Sequence, residues 1–284
     1  MWLGVLLFVL LIMRYLVSFV LIITSTFSRG QSVFFLDSIS LKPIHNVRVY
    51  HEKIVYYSGE LGQVTIEITN DNLAYAVCAG YKSKEFSLKD TVLLEPAHFI
   101  FPELEVSAES KPRILINKRN RHWRLSGISI GNGSIEGVSL DLEQKLVIEG
   151  VRIYFKESLK ERIYCRLLIF NTRDTLSNKP TAIFGSTTFD TIPEDTKKYS
   201  LNIAGYPLNN SLDSNYLVAV EFKFDKILWG ESFPNLESWE TSTGNYYYFA
   251  EGHNLVRCRS FLSKQAPEVP LYTAGLEIIA TNLD

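Results

Sequence analysis

The sequence has little cysteine, little methionine and no strong charge of either sign. Three cysteines, Cys78, Cys165 and Cys258, are scattered over 284 residues, which excludes a disulfide-dense scaffold. Both methionines stand before residue 14. Lys+Arg number 29 against 31 Asp+Glu, a net charge of −2. General nucleic-acid binding needs a basic face that displaces counterions, and this balance does not supply one. An acidic disordered tail is excluded as well, because 46% of the residues are hydrophobic and can bury a core. His45, His51, His98, His122 and His253 form no HExxH, H-x-H or His/Cys spacing, so no metal ligands are expected. A nucleophile elbow, a phosphate-cradling loop and a dinucleotide fingerprint are not expected either. Asp141, Glu143, Glu221 and Glu251 cannot be paired from spacing, since carboxylates in an all-β chain meet from any two strands. The chain therefore reads as a non-enzyme with no catalytic residue and no cofactor. A hydrolase whose site leaves no sequence signature is the alternative.

Residues 1–27 form the one long apolar run, with Arg14 its single charge. Read whole, the run is long enough to span a bilayer, which takes ~20 apolar residues. A second reading starts at Met13. It places Arg14 beside the initiator, then an apolar run Tyr15–Ile23, then a polar segment Thr24–Gln31, the order of a secretory signal peptide. Residues 1–30 are thus a signal peptide or a membrane anchor. The run has no polar face and so does not suit a buried core helix. The expected location is exported: periplasm, outer membrane or cell surface, or the membrane itself through residues 1–27. No other contact with a membrane is expected.

Beyond Gln31 the chain shows short stretches of period-two alternation, rich in Val, Ile, Tyr and Phe and broken by Gly, Asn, Asp and Pro. The clearest are Asn46–Tyr50, Val64–Ile68, Leu73–Ala79, Lys145–Phe155, Arg162–Phe170, Tyr216–Phe224, Tyr246–Phe249, Leu255–Leu262 and Leu276–Ala280. In one of them Tyr216, Val218, Val220, Phe222 and Phe224 share a face. Leu217, Ala219, Glu221 and Lys223 share the other, as in a half-buried antiparallel strand. Gly131-Asn132-Gly133-Ser134 reads as a turn between strands. The fold class is all-β, built of sandwiches. A boundary falls near Glu95-Pro96. It separates a compact unit of residues 32–95 from a connector of residues 96–112 and a larger β-sandwich of residues 113–284.

Residues 37–95 carry a recognisable series: Pro43-Ile44-His45-Asn46-Val47-Arg48-Val49, then Ser58-Gly59-Glu60-Leu61-Gly62-Gln63-Val64-Thr65-Ile66, then Ala79-Gly80-Tyr81-Lys82 and a Leu-rich last strand, Thr91–Leu94. In this order the pieces resemble the carboxypeptidase-like regulatory domain, a transthyretin-like β-sandwich. The family's acidic turn residue is replaced by Ser58 or shifted to Glu60, and its aromatic after the turn is Val64. Gly62 is placed at a tight turn that needs φ > 0, and Gly80 at a backbone bend ahead of Tyr81. The resemblance implies an accessory module without metal ligands or nucleophile, common at the N-terminus of Gram-negative envelope proteins. Residues from about 100 onward resemble, more faintly, the β-rich region that follows this module in some short envelope proteins. A jelly-roll-like sandwich is expected there.

Three clusters remain. Trp229, Phe233, Trp239, Tyr246, Tyr247, Tyr248 and Phe249 lie close together in sequence. They are core and loop packing or, with Trp229, Trp239, Tyr246 and Tyr248 exposed, a platform for a glycan. Lys118–Arg124 is a basic cluster around His122 and Trp123. It is a charged strand edge or loop, or an anion-binding patch. Cys165 and Cys258 are small buried residues, or a pair across neighbouring strands if the chain is exported. The leading expectation is a structural or interaction module whose partner is an envelope protein or a surface glycan. A carbohydrate-binding protein using residues 229–249 is the alternative.

Overall fold

The computed structural model describes residues 30–52, 54–67, 72–88, 91–97, 113–117, 128–141, 145–171, 182–186, 188–208, 215–225, 234–240, 247–251, 254–258 and 272–282. Among the described residues the regular structure is all β, with no helix. The apolar run of residues 1–27, residues 98–112 of the connector and the basic cluster Lys118–Arg124 lie outside them. Among the described residues no helix is long and apolar enough to cross a membrane.

Seven strands come first: β1 (Gly30–Asp37), β2 (Arg48–His51), β3 (Ile54–Tyr57), β4 (Gln63–Glu67), β5 (Leu73–Val77), β6 (Lys84–Ser87) and β7 (Thr91–Leu94). They form a three-stranded sheet, β4-β1-β7, and a four-stranded sheet, β3-β2-β5-β6. Strand alternation sends one row of each sheet inward, including Val33 and Phe35, Val47 and Val49, and Val64 and Ile66. Phe35 and Phe86 meet edge to face, with ring centroids 5.5 Å apart. β1 is not among the strands that alternation singles out, because its first residues, Gly30 and Gln31, belong to the polar segment that reads as the end of a leader. It is nonetheless the centre of its sheet, antiparallel to β4 and parallel to β7.

The remaining strands are β8 (Arg113–Ile116), β9 (Ile128–Ser129), β10 (Ile135–Asp141), β11 (Leu146–Tyr154), β12 (Ile163–Asn171), β13 (Ala182–Gly185), β14 (Asp190–Ile192), β15 (Lys198–Leu208), β16 (Asn215–Lys223), β17 (Asn235–Leu236), β18 (Ser238–Glu240), β19 (Tyr247–Glu251), β20 (Asn254–Cys258), β21 (Tyr272–Ala274) and β22 (Leu276–Asn282). A seven-stranded sheet runs β13-β12-β16-β10-β19-β20, with β14 also on β12; a four-stranded sheet runs β15-β11-β22-β8; β17-β9 and β18-β21 are separate pairs. The two larger sheets enclose the main hydrophobic cluster. Val138, Ile153, Leu167, Val220, Phe222 and Ile278 are among its buried members.

Two expectations are corrected. β16 is not half-buried. Tyr216, Val218, Val220 and Phe222 face the main cluster, but Leu217, Ala219 and Glu221 on the opposite row are also buried. At β16 the outer face of the seven-stranded sheet is covered rather than wet. Nor do Cys165 and Cys258 lie on neighbouring strands. Cys165 is on β12 and Cys258 on β20, with β16, β10 and β19 between them. Four strand spacings of ~4.8 Å far exceed the reach of a disulfide, and Cys165 is a buried free thiol.

Gly62 stands at φ +71°, and a Cβ added there would lie 2.5 Å from the carbonyl oxygen of Phe35. Phe35 N–H in turn donates to Gly62 O at 2.9 Å. Gly62→Val is expected to destabilise the first seven-stranded unit by ~1–3 kcal/mol or more, since the new side chain meets both strain and backbone. A shifted denaturant midpoint checks this; an unchanged one contradicts it.

Candidate functional site

The alternation that sends Val47 and Val49 into the first core turns Arg48 and Tyr50 outward on β2. The same rule turns Val55 and Tyr57 outward on β3. On the seven-stranded sheet, Arg166 of β12 lies directly opposite Glu221 of β16, and Ile135 of β10 flanks Glu221 on its other side. These two outer faces meet. Arg48, Arg166 and Glu221 end up buried although each carries a full charge.

Glu221 is the hub of the seam. Its Oε2 accepts from Arg166 Nε at 2.6 Å, and its Oε1 accepts from the Tyr57 hydroxyl at 2.7 Å. Arg48 Nε lies 3.3 Å from Oε1. Two guanidiniums against one carboxylate leave a surplus positive charge, and backbone oxygens and aromatic faces meet it. Arg48 donates to Gly133 O, and Arg166 Nη1 donates to Asn46 O at 3.3 Å. Arg48 lies over the Tyr50 ring at 4.4 Å and Arg166 over Phe189 at 4.6 Å. Tyr57 and Phe189 stack edge to face at 5.4 Å, with Lys223 Nζ within 5.4 Å of both ring centroids.

Close approach at this seam depends on the turn Gly131–Ser134. Gly133 has φ +76°, and a Cβ there would sit 2.9 Å from the Val55 side chain. Asn132 Nδ2 donates to Val55 O at 3.4 Å.

Burial alone would raise the Glu221 carboxyl. Arg166, Arg48 and the Tyr57 hydroxyl outweigh it and hold the group below the usual carboxylate range. Burial, then the Glu221 charge, push Tyr57 well above its ordinary value and keep it a donor. Burial lowers the Lys223 ammonium. Cys78, beside the seam, is pushed by burial up to about 11 and is an unreactive thiol at neutral pH. The cluster pairs charges and fixes the register of two sheets. It offers no nucleophile–base pair.

One motif runs against expectation. Gly127-Ile128-Ser129-Ile130-Gly131 spells G-x-S-x-G, the pattern of a nucleophile elbow, although no elbow is expected from the sequence. Ser129 ends the two-residue strand β9, is exposed, and donates to Asn235 Oδ1 at 2.7 Å. The chain then turns at Asn132-Gly133 and enters β10, another strand. A nucleophile elbow needs strand, sharp turn and helix, with a base at hand, so this serine is not one. A small cleft of about 110 Å³ has Leu159, Ile163 and Phe224 among its apolar lining and Glu157, Lys160 and Glu161 among its polar lining.

Of the residues proposed for a glycan platform, Trp229 and Tyr246 lie outside the described residues, as do the side chains of Trp239 and Tyr248. The backbone of Trp239 pairs with Thr273 on β21, and that of Tyr248 with Gly137 and Arg257 in the seven-stranded sheet. Gly80 has φ +82° in the turn ahead of Tyr81, whose hydroxyl donates to Asp37 Oδ2 at 3.0 Å. His45 is exposed, while His51 is buried at the end of β2 with Nδ1 3.1 Å from Leu73 O. The hub residues Arg48, Arg166 and Glu221 were not nominated from sequence. Their only signal was a charged residue inside an otherwise apolar strand. No protein-family model and no curated protein matches the chain.

Two outcomes are expected. Glu221→Gln leaves two guanidiniums buried without their carboxylate, and should cost ~3–5 kcal/mol at pH 7 by denaturant unfolding. Because the folded Glu221 carboxyl is depressed, its contribution is present above the unfolded value of 4.5 and is lost as pH falls through the lower folded value. The gap between wild type and variant should therefore narrow only in acid. Glu136 has the opposite sign. Burial raises its carboxyl well above 4.5, so ionisation opposes folding as pH rises above that value. Glu136→Gln should match wild type in acid and be the more stable protein near pH 7. Equal midpoints at pH 7 would contradict this.

Proposed function

We propose that this chain is a non-enzymatic, exported envelope or cell-surface protein that acts as a structural or interaction module. Its first part, residues 32–95, is read as a carboxypeptidase-like regulatory, transthyretin-like sandwich, and residues 113–284 as a jelly-roll-like sandwich. The Arg48–Glu221–Arg166 seam is the observation that carries this reading. The buried charges there are paired with one another and contacted by Tyr57 and by backbone oxygens. Such a joint favours holding two sheet packs in one fixed relation over binding and releasing a substrate. A rigid pair of packs suits a protein that presents surfaces to a partner, whether an envelope protein or a glycan. Support for the first module comes from its two sheets around one cluster, with Gly62 and Gly80 both at positive φ.

Cell fractionation with N-terminal sequencing tests the location. The expected result is envelope or surface material that starts near Gln31, or retains residues 1–27 if anchored. A cytosolic protein with an intact Met1 contradicts export. A glycan array tests the partner: retention that Trp239→Ala abolishes without a loss of thermal stability would move the assignment to carbohydrate binding.

A further inference from the structure

The outward rows of β12 and β16 run on past the seam. On β12 the row is Tyr164, Arg166 and Leu168, set between the core-facing Ile163, Cys165 and Leu167. On β16 it is Ala219, Glu221 and Lys223, and it leads to Asp225. Register places Arg166 opposite Glu221 and Tyr164 opposite Lys223. Arg166 and Glu221 are sealed in the seam, whereas Tyr164 and Lys223 are partly exposed and Arg162 and Asp225 stand in water. Burial therefore falls away within one residue pair. Tyr164 and Lys223 form the floor of a ledge at the rim of the seam. On its seam side stand Tyr57 and Phe189, whose ring centroids lie 5.2 Å and 5.4 Å from Lys223 Nζ.

Charge on the ledge is unbalanced. Both Glu221 oxygens are taken up by Arg166, Arg48 and the Tyr57 hydroxyl. Asp225 accepts from Arg162 Nε at 3.3 Å and from the Tyr164 hydroxyl at 3.0 Å. Arg48, Arg166, Arg162 and Lys223 thus face two carboxylates, Glu221 and Asp225. Among the described residues the Lys223 ammonium has aromatic faces but no carboxylate within ion-pair distance. The buried guanidiniums add to the field at the rim, because charges out of water are screened less than exposed ones. The Tyr164 ring beside Lys223 is held as well: its hydroxyl is fixed on Asp225, and Arg162 fixes Asp225 in turn. A ring that is already positioned loses little freedom when a flat apolar face settles on it.

We propose that this ledge binds an acidic sugar, with Lys223 taking the carboxylate and the Tyr164 ring taking the C–H face. An inorganic anion would use the cation alone, and a neutral sugar the ring alone. Cross-strand neighbours stand ~5 Å apart at Cβ, so one monosaccharide with a carboxylate on its ring touches both. This assignment rests on the glycan branch of the function proposed above and uses no residue of the segment 229–249.

The test titrates the full chain by isothermal calorimetry with trigalacturonic acid, its methyl ester and neutral galactotriose. The expected result is binding of the acid that weakens as salt rises, and about tenfold or more weaker binding of the ester and of galactotriose. Lys223→Gln should weaken binding of the acid about tenfold or more and leave the thermal midpoint in place, since Lys223 has no salt bridge to lose; Lys223→Arg should keep most of the binding. If Lys223→Gln lowers the midpoint, the ester comparison and the salt dependence of the wild-type protein decide instead. Unchanged binding in a folded Lys223→Gln overturns the ledge. Equal binding of galactotriose and the acid keeps the glycan reading and overturns the carboxylate site. Displacement of the acid by inorganic phosphate, with Tyr164→Ala without effect, leaves a simple anion contact and overturns the sugar. No binding of any of the three saccharides overturns the ledge and leaves the envelope reading to the fractionation test.

Discussion

The Glu221 carboxylate, shared between Arg166, Arg48 and the Tyr57 hydroxyl, joins the two halves of this structure. Placing three charges out of water is costly, and the Coulombic gain between them does not by itself guarantee a net stabilisation. Direction is what such a joint supplies. An apolar seam between flat sheets tolerates sliding, whereas an arginine directed at one carboxylate does not. Here each cation is held on two sides, by Glu221 and by a backbone oxygen of a turn that leads into the opposite sheet: Gly133 for Arg48 and Asn46 for Arg166. A shift of one residue on either strand would turn the charged row toward a core.

The surplus positive charge at the seam explains its aromatic surroundings. Tyr50 and Phe189 present ring faces to the guanidiniums, and Tyr57 uses both its ring and its hydroxyl. The packing of Gly133 against Val55 lets the two sheets come close enough for these contacts. Layer order follows: the three-stranded sheet outermost, the β3-β2-β5-β6 sheet against the seam, then the seven-stranded sheet and the β15-β11-β22-β8 sheet behind it.

Much of the strand content was legible from alternation alone, because a side-chain period of two is a property of the backbone and survives any tertiary context. β11, β12, β16 and β22 all fall within stretches that alternation marks, to within a few residues. The row Tyr216, Val218, Val220 and Phe222 faces the core because β-branched and aromatic side chains have nowhere else to go. The turn at Gly131–Ser134 was legible for a similar reason: glycine and asparagine tolerate the backbone a tight turn requires. β1 was not marked because its first residues, Gly30 and Gln31, fall in the polar segment Thr24–Gln31 that reads as the end of a leader.

What alternation cannot say is what lies beyond the second row of a strand. Leu217, Ala219, Glu221 and Lys223 form one face in the sequence, and a charged residue there reads as a solvated edge. Only the meeting of two sheets makes Glu221 a buried hub, because its partners, Arg48 and Tyr57, come from strands more than 160 residues away. The same holds for Cys165 and Cys258, which strand patterns place in a sheet without giving the strand order between them. The sequence by itself determined an all-β chain, its inward rows and its turns, since these depend on local backbone geometry. The tertiary structure alone decided which outer faces would meet, since that depends on charges distant in the chain coming within hydrogen-bonding reach.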